Sequence, residues 1–394
     1  MSSPAADHVW FFLESHPADP EALYLEIPLE LIRSLCLNPG KYLRFLAYAI
    51  LAVDGTIAHA QLSGQTALSD ESQLEDGGIY IFSSSKVMTP KQYAERRADV
   101  EVVRQRSQFG GSESARPASF VEGVYARDAV SFFKDSRRLV TQALHIVAHA
   151  RGSPWLQHLI SMRSDFEGGE DIDDIDHPRN GFCGETQLHP LFDGNVCAIL
   201  KTPNHILKMD DVPSAPDRPL DDDSSYPTDA RYTLQYLDQT YEKVYVPNNT
   251  DGAFKDHDPS IRPSMFLFHY RYGASALVRW GRGLEKCIPP SRPPKTTTVA
   301  AGRSGTDPSL QDERMKQRDL KKDEGAQGTS QGNASWTTQA VFEVYDPLDV
   351  LKMISPWYDA KVDEAYDQDV NVEECLHQSG FSDEIEKWRN TVAV

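Results

Sequence analysis

The apolar residues of this chain come in short blocks, each closed by turn-forming residues, and that punctuation limits the fold more than any other feature. Between residues 8 and 60 the blocks HVWFFLES, ALYLEIPLELI and KYLRFLAYAILAV are separated by HPADP, NPG and DG. No window approaches the roughly 18 consecutive apolar residues that a membrane-spanning helix needs. Met1 to Asp7 has neither the basic start nor the apolar run of a secretory signal, so the expected location is intracellular, nuclear or cytoplasmic.

Helix and strand compete in the first blocks. Phe11, Phe12, Tyr24, Tyr42, Phe45 and Tyr48 favour strands, and GGIYIFSSS at 77–85 adds another, which predicts a small β-rich domain over 1–88. TPKQYAERRADVEVVRQRSQ has helix-forming composition, with Thr89 as N-cap and Pro90 at the first helical position. Together with the loop FGGSESARP it makes a connector over 89–117. A central α+β domain is expected over 118–290, including a strand at RYTLQYL and a helix in PSMFLFHYRYGASALVRWG that Gly281 can end. His269 in that helix reads as a packing group. Residues 291–335 have the low apolar content of a disordered linker. Residues 336–394 regain helical spacing, which predicts an acidic helical tail.

The formal net charge of −19 argues against a generally cationic coat for nucleic acid. Charge is unevenly spread, however. Residues 337–394 carry thirteen acidic and four basic side chains, whereas residues 127–151 hold Arg127, Lys134, Arg137, Arg138 and Arg151 against Asp128 and Asp135. Five scattered cysteines, never spaced as CxxC, imply neither a disulfide framework nor a cysteine-rich zinc site.

Two patches carry chemistry, VTQALHIVAHARG at 140–152 and HPRNGFCGETQLHPLFDGNVCAILKTPN at 177–204. LHIVAH reads as a strand ending in a loop. ETQLHPLFDG reads as a short or kinked helix, with Glu185 and Thr186 in its first turn and Pro190 inside it. On that helix His189 and Asp193, four residues apart, share a face, and imidazole and carboxylate at this spacing can share a divalent cation. His149 reads as a loop-surface histidine, with a substrate or metal contact as the alternative. The acidic run EGGEDIDDID at 167–176 reads as a solvated insertion, with cation recruitment as its alternative.

The run HIVAH, then NG, then LHPLFDG resembles the His-Asn-His signature of HNH endonucleases, especially the HNH-domain proteins common in fungi. The resemblance spans about residues 127–204. It implies a ββα-metal core and a metal-dependent endonuclease that hydrolyses phosphodiester bonds of DNA, or less readily RNA, with one Mg, Mn or Zn ion. It makes His145 the general base, Asn180 the residue that holds that imidazole or supports the metal site, and His189 the metal-binding histidine. Asp193 falls where several relatives place another ligand. Lys134, Arg137, Arg138, Arg151 and Arg179 would then hold phosphates. Three positions depart from the pattern. Leu144 stands where many relatives have a metal-ligating Asp or His, Ala148 replaces the usual Pro, and Ser131 follows Arg127-Asp128 where a Cys is common. These departures leave open a catalytically decayed HNH fold that acts as an interaction or regulatory module, and an unrelated α+β interaction protein remains a third reading.

Overall fold

Two-residue alternation builds the start of the chain. In β1 (His8–Phe12) and β2 (Tyr24–Pro28), Val9, Phe11, Leu25 and Ile27 face the main core, while Trp10, Phe12 and Tyr24 gather on the other side. The two strands pair antiparallel with Val9 opposite Ile27 and Phe11 opposite Leu25. The computed structural model describes residues 4–13, 22–60, 67–104, 117–128, 132–133, 141–164, 172–214, 220, 223–242 and 245–287. The expected linker and acidic tail, and Lys134, Arg137 and Arg138, lie outside the described residues.

After α1 (Leu29–Leu35), the block KYLRFLAYAIL belongs to a helix, α2 (Pro39–Leu51), where its aromatics had suggested a strand. Twelve of its thirteen residues are buried, so the run is too long for one strand and apolar on too many sides for a surface helix. Pro39 starts it at a position where no N–H is needed, and Ala52, with φ of 51°, ends it in the left-handed region. β3 (Gly55–His59) and β4 (Ile79–Ser84) follow as an antiparallel pair, and β4 runs parallel to β1. α3 (Pro90–Arg96) begins with the expected Thr89 cap: its hydroxyl accepts the Gln92 amide, and the Gln92 side chain accepts the Thr89 amide in return. α4 (Glu101–Arg104) is a single turn.

The second half contains α5 (Ala118–Arg127), β5 (Thr141–His145), α6 (Ser153–Met162), β6 (Gly181–Glu185), α7 (Leu188–Asp193), β7 (Cys197–Thr202), β8 (Arg231–Tyr236), β9 (Thr250–Asp251), α8 (Met265–Trp280) and β10 (Gly281–Arg282). β5 and β6 form a two-stranded antiparallel pair, and β7, β8 and β9 form a three-stranded sheet. The fold is therefore mixed α+β, with small sheets among helices.

α8 is the central beam. Its N-cap Ser264 accepts the Leu267 amide at 3.1 Å, and the backbone leaves it through Gly281 in an extended conformation, φ −66°, directly into β10. β10 then pairs with β2 and completes a five-stranded sheet in the order β10-β2-β1-β4-β3. A Cβ at Gly273 would lie 2.6 Å from the Ala49 backbone, so this glycine lets α8 approach α2 at main-chain distance. Tyr42 and Tyr272 share a 2.6 Å hydroxyl contact, and Tyr272 donates to Gln235 at 2.7 Å.

The apolar side of the amino-terminal sheet and α2 is covered by α8, so described elements on both sides of the expected 89–117 connector bury one core. His269 is fully buried on α8, as expected of a packing group. It contacts the Lys201 carbonyl at 3.0 Å, and burial lowers its pKa to about 3. No helix among the described residues is long and apolar enough to cross a membrane.

Candidate metal centre

The site is built on the β5–β6 pair. His145 lies opposite Gly181, Leu144 opposite Phe182, Ala143 opposite Cys183 and Gln142 opposite Gly184. Directly paired residues share a face and neighbours alternate, so the pair has two distinct sides. Ala143 and Cys183 pack with Phe120 and Val124 of α5, and a Cβ on Gly181 would come within 2.6 Å of the Phe120 ring. Leu144 and Phe182 belong to the main core, and a Cβ on Gly184 would meet Leu144 and Leu188. One side therefore faces α5 and the other faces α7.

His145 belongs to the α5 side. Its ring stacks on Phe120 with centroids 3.9 Å apart and planes at 7°. Its Nε2 lies 2.9 Å from Asp176 Oδ1, and Nδ1 of His149 lies 2.8 Å from the same oxygen. The His145 and Asp176 side chains are only 6% and 11% exposed, but that of His149 is 44% exposed, so His149 is the member that solvent reaches. Their donor atoms all lie within 4.8 Å of one another, the spacing of a shared cation. Asp176 is the last residue of the acidic run and His149 the histidine assigned to the loop surface.

Asn180 is completely buried and contacts backbone with both ends of its amide. Its Oδ1 accepts the Val147 amide at 2.9 Å, and its Nδ2 donates to the carbonyls of Val147 and Ile175 at 3.0 and 2.8 Å. It thereby joins the loop after β5, which carries His149, to the segment that carries Asp176. Beneath it sits a buried ion pair. Arg127 makes two bonds to Asp128, at 2.6 and 2.9 Å, and donates to the carbonyls of Pro178, Gly181 and Ile261. Asp128 in turn accepts the Cys183 amide at 2.7 Å. Burial raises the Asp128 pKa, and the neighbouring guanidinium opposes that shift.

His189 belongs to the α7 side. Its Nδ1 lies 2.9 Å from Gln142 Nε2, and its Nε2 lies 3.1 Å from Asp193 Oδ2, so the pair four residues apart on α7 does share a face. The structure does not bring this pair to the His145 cluster, because the pleat of β5 sends His145 and Gln142 to opposite sides. α7 itself is shorter than expected. Glu185 ends β6 and accepts a hydrogen bond from Tyr245, and the helix starts at Leu188. Pro190 is its third residue, where the missing N–H has no intrahelical partner to lose. Of the expected phosphate contacts, Arg151 donates to the Glu101 carbonyl and Arg179 to the Arg262 carbonyl.

Two paired antiparallel strands are followed by a short helix, and a buried asparagine clamps the loop beyond the first-strand histidine. Residues 123–200 match the model of the HNH endonuclease family. No curated protein and no solved structure matches the chain.

The HNH segment contains every candidate donor named above: His145, His149, Asp176, Asn180, His189 and Asp193. Two imidazoles and one carboxylate converging on one point are a donor set that suits a divalent cation, and the family implies such an ion. The residue that sequence reasoning passed over is Asp176. Its signal was present, since it sits four residues before Asn180, but five acidic residues in EDIDDID offered no means of choosing among them.

Proposed function

We propose that the chain is a metal-dependent phosphodiester hydrolase of nuclease type whose cation is held by His145, His149 and Asp176. The observation that carries this reading is the convergence of both imidazoles on one Asp176 oxygen, at 2.9 and 2.8 Å, inside a segment that matches HNH endonucleases. Imidazole-rich donor sets suit Zn better than Mg. When bound, the cation supplies charge stabilisation at the phosphoryl oxygens and lowers the pKa of a water molecule.

The chain's own residues do the rest. Phe120 fixes the plane of the His145 ring, Asp176 orients both imidazoles, and Asn180 holds the two loops at the spacing the donors need. The exposed edge at His149 is where a substrate phosphate enters. In this reading His145 is a ligand rather than the general base that the family resemblance suggests. DNA is the expected substrate, with RNA as the competing one.

A second reading places the cation at His189 and Asp193, favoured by their 3.1 Å contact on α7. The test is cleavage of supercoiled plasmid and of a labelled RNA by the full chain with Zn, Mn or Mg, with a chelator as control. The His145→Ala, His149→Ala and His189→Ala variants are run beside it. The proposal expects chelator-sensitive cleavage that falls at least a hundredfold in the first two variants and persists in the third. Cleavage lost with His189→Ala but kept with His149→Ala establishes the second reading. Nucleic-acid binding without turnover under any metal establishes a decayed HNH fold.

A further inference from the structure

The turn that presents Asp176 is fixed from two sides. Asn180, just before β6, holds it through the Ile175 carbonyl. The first turn of α6 holds it from the other side, and Ser153, the first residue of that helix, makes the central contacts. Its hydroxyl donates to Asp174 Oδ1 at 3.1 Å and accepts the Ile175 amide at 3.0 Å. The same Asp174 oxygen accepts the Asp176 amide at 3.0 Å, and the Asp174 carbonyl accepts the His177 amide at 3.1 Å. One turn along the helix, Gln157 donates to the Asp173 carbonyl at 2.9 Å.

Ser153 also stands just beyond the short turn His149–Arg151, separated from it only by Gly152, whose φ of 75° sets the chain's entry into the helix. The helix start that follows His149 is thus bonded directly to the turn that carries Asp176. A hydroxyl suits the position because it donates and accepts at once: the carboxylate of Asp174 needs a donor, and the Ile175 N–H needs an acceptor. Alanine supplies neither, while threonine supplies both.

We propose that Ser153 is a positioning residue that holds the His149 turn against the Asp176 turn and so sets the span of the His145–His149–Asp176 donor group. As far as it concerns a cation, the inference rests on the reading of that group as a metal seat. The two claims separate experimentally, because the Ser153 contacts act on the imidazoles before any ion binds.

The test uses the full chain as wild type, Ser153→Ala and Ser153→Thr, with two readouts. The first is Mn2+ affinity by electron paramagnetic resonance. The second is the ring-nitrogen spectrum of His145 and His149 in metal-free, 15N-histidine-labelled protein. Outer contacts that orient metal ligands typically change affinity by about 10–100-fold, so Ser153→Ala is expected to weaken Mn2+ binding at least tenfold. It should also shift the His149 Nδ1 signal away from its carboxylate-bonded position, while Ser153→Thr keeps both readouts near wild type. A loss confined to the helix start would lower the melting temperature by about 2–4 °C and leave the ring spectrum unchanged. That result, or Mn2+ affinity within twofold of wild type in Ser153→Ala, overturns the proposal. If wild type binds no Mn2+ but Ser153→Ala still moves the His149 signal and threonine restores it, the positioning role stands and the metal seat falls.

Discussion

The two sides of the β5–β6 pair carry the same residue types and use them differently. On the α5 side, His145 and Asp176 are almost buried, the imidazole is fixed by a stacked Phe120, and a second imidazole reaches the same carboxylate oxygen. On the α7 side, His189 meets one carboxylate from its own helix and one amide, and the neighbouring strand position is filled by buried Leu144. A histidine becomes part of a convergent donor group when separate loops are clamped around it. A pair four residues apart on a helix, by itself, remains two side chains in contact.

The largest expected effect comes from the support under the pair. Arg127→Ala leaves Asp128 buried without its partner and removes bonds to three carbonyls, so the protein should lose about 3–5 kcal/mol in denaturant unfolding. Replacing both residues together, Arg127→Met with Asp128→Leu, should recover a large part of that loss. If the single variant is as stable as wild type, the pair is not what holds the α5 side.

A sharper probe inverts the comparison by giving the α7 side a second carboxylate beside Asp193. Leu144→Asp deletes a core aliphatic side chain and buries a charge, which should cost about 2–5 kcal/mol without metal. With Zn2+ in excess, His189, Asp193 and the new carboxylate should bind the ion and raise the melting temperature of this variant more than that of wild type. No such extra rise would mean that α7 cannot be converted by one ligand.

Phe120→Leu keeps an apolar group beneath His145 but removes the flat ring. Its stability cost should be about 1–2 kcal/mol, since part of a buried ring is removed but an aliphatic group remains. The His145 ring signals should nevertheless broaden or shift in NMR. Unchanged signals would show that Asp176 alone fixes the imidazole. The smallest effect is expected for His189→Gln, at or below about 1 kcal/mol as for other partly exposed ion pairs, with cation affinity unchanged in a calorimetric titration.

Much of this was legible in the chain. Alternation in HVWFF and RYTLQY, the Thr89–Pro90 helix start, and the helical spacing of α8 each translate one local rule into one element. The helix α2 was misread because Tyr and Phe were weighed as strand formers, while tertiary burial on nearly every side decided the outcome. The core that the described elements of both halves share is hidden for a related reason: the strand that completes the first sheet lies more than 250 residues after its partner β2. In the site, His145 and Asn180 enter through the resemblance of HIVAH and NG to the HNH signature, not through any local rule. The role of Asn180 as a clamp on Val147 and Ile175, and the choice of Asp176 from a run of acids, depend on loop closure that no local pattern encodes.

The central claim is where the cation sits, and anomalous diffraction from crystals of the chain grown with Zn2+ or Mn2+ tests it most directly. The account predicts one strong peak within bonding distance of His145 Nε2, His149 Nδ1 and Asp176. A peak between His189 and Asp193 with none at that cluster would contradict it.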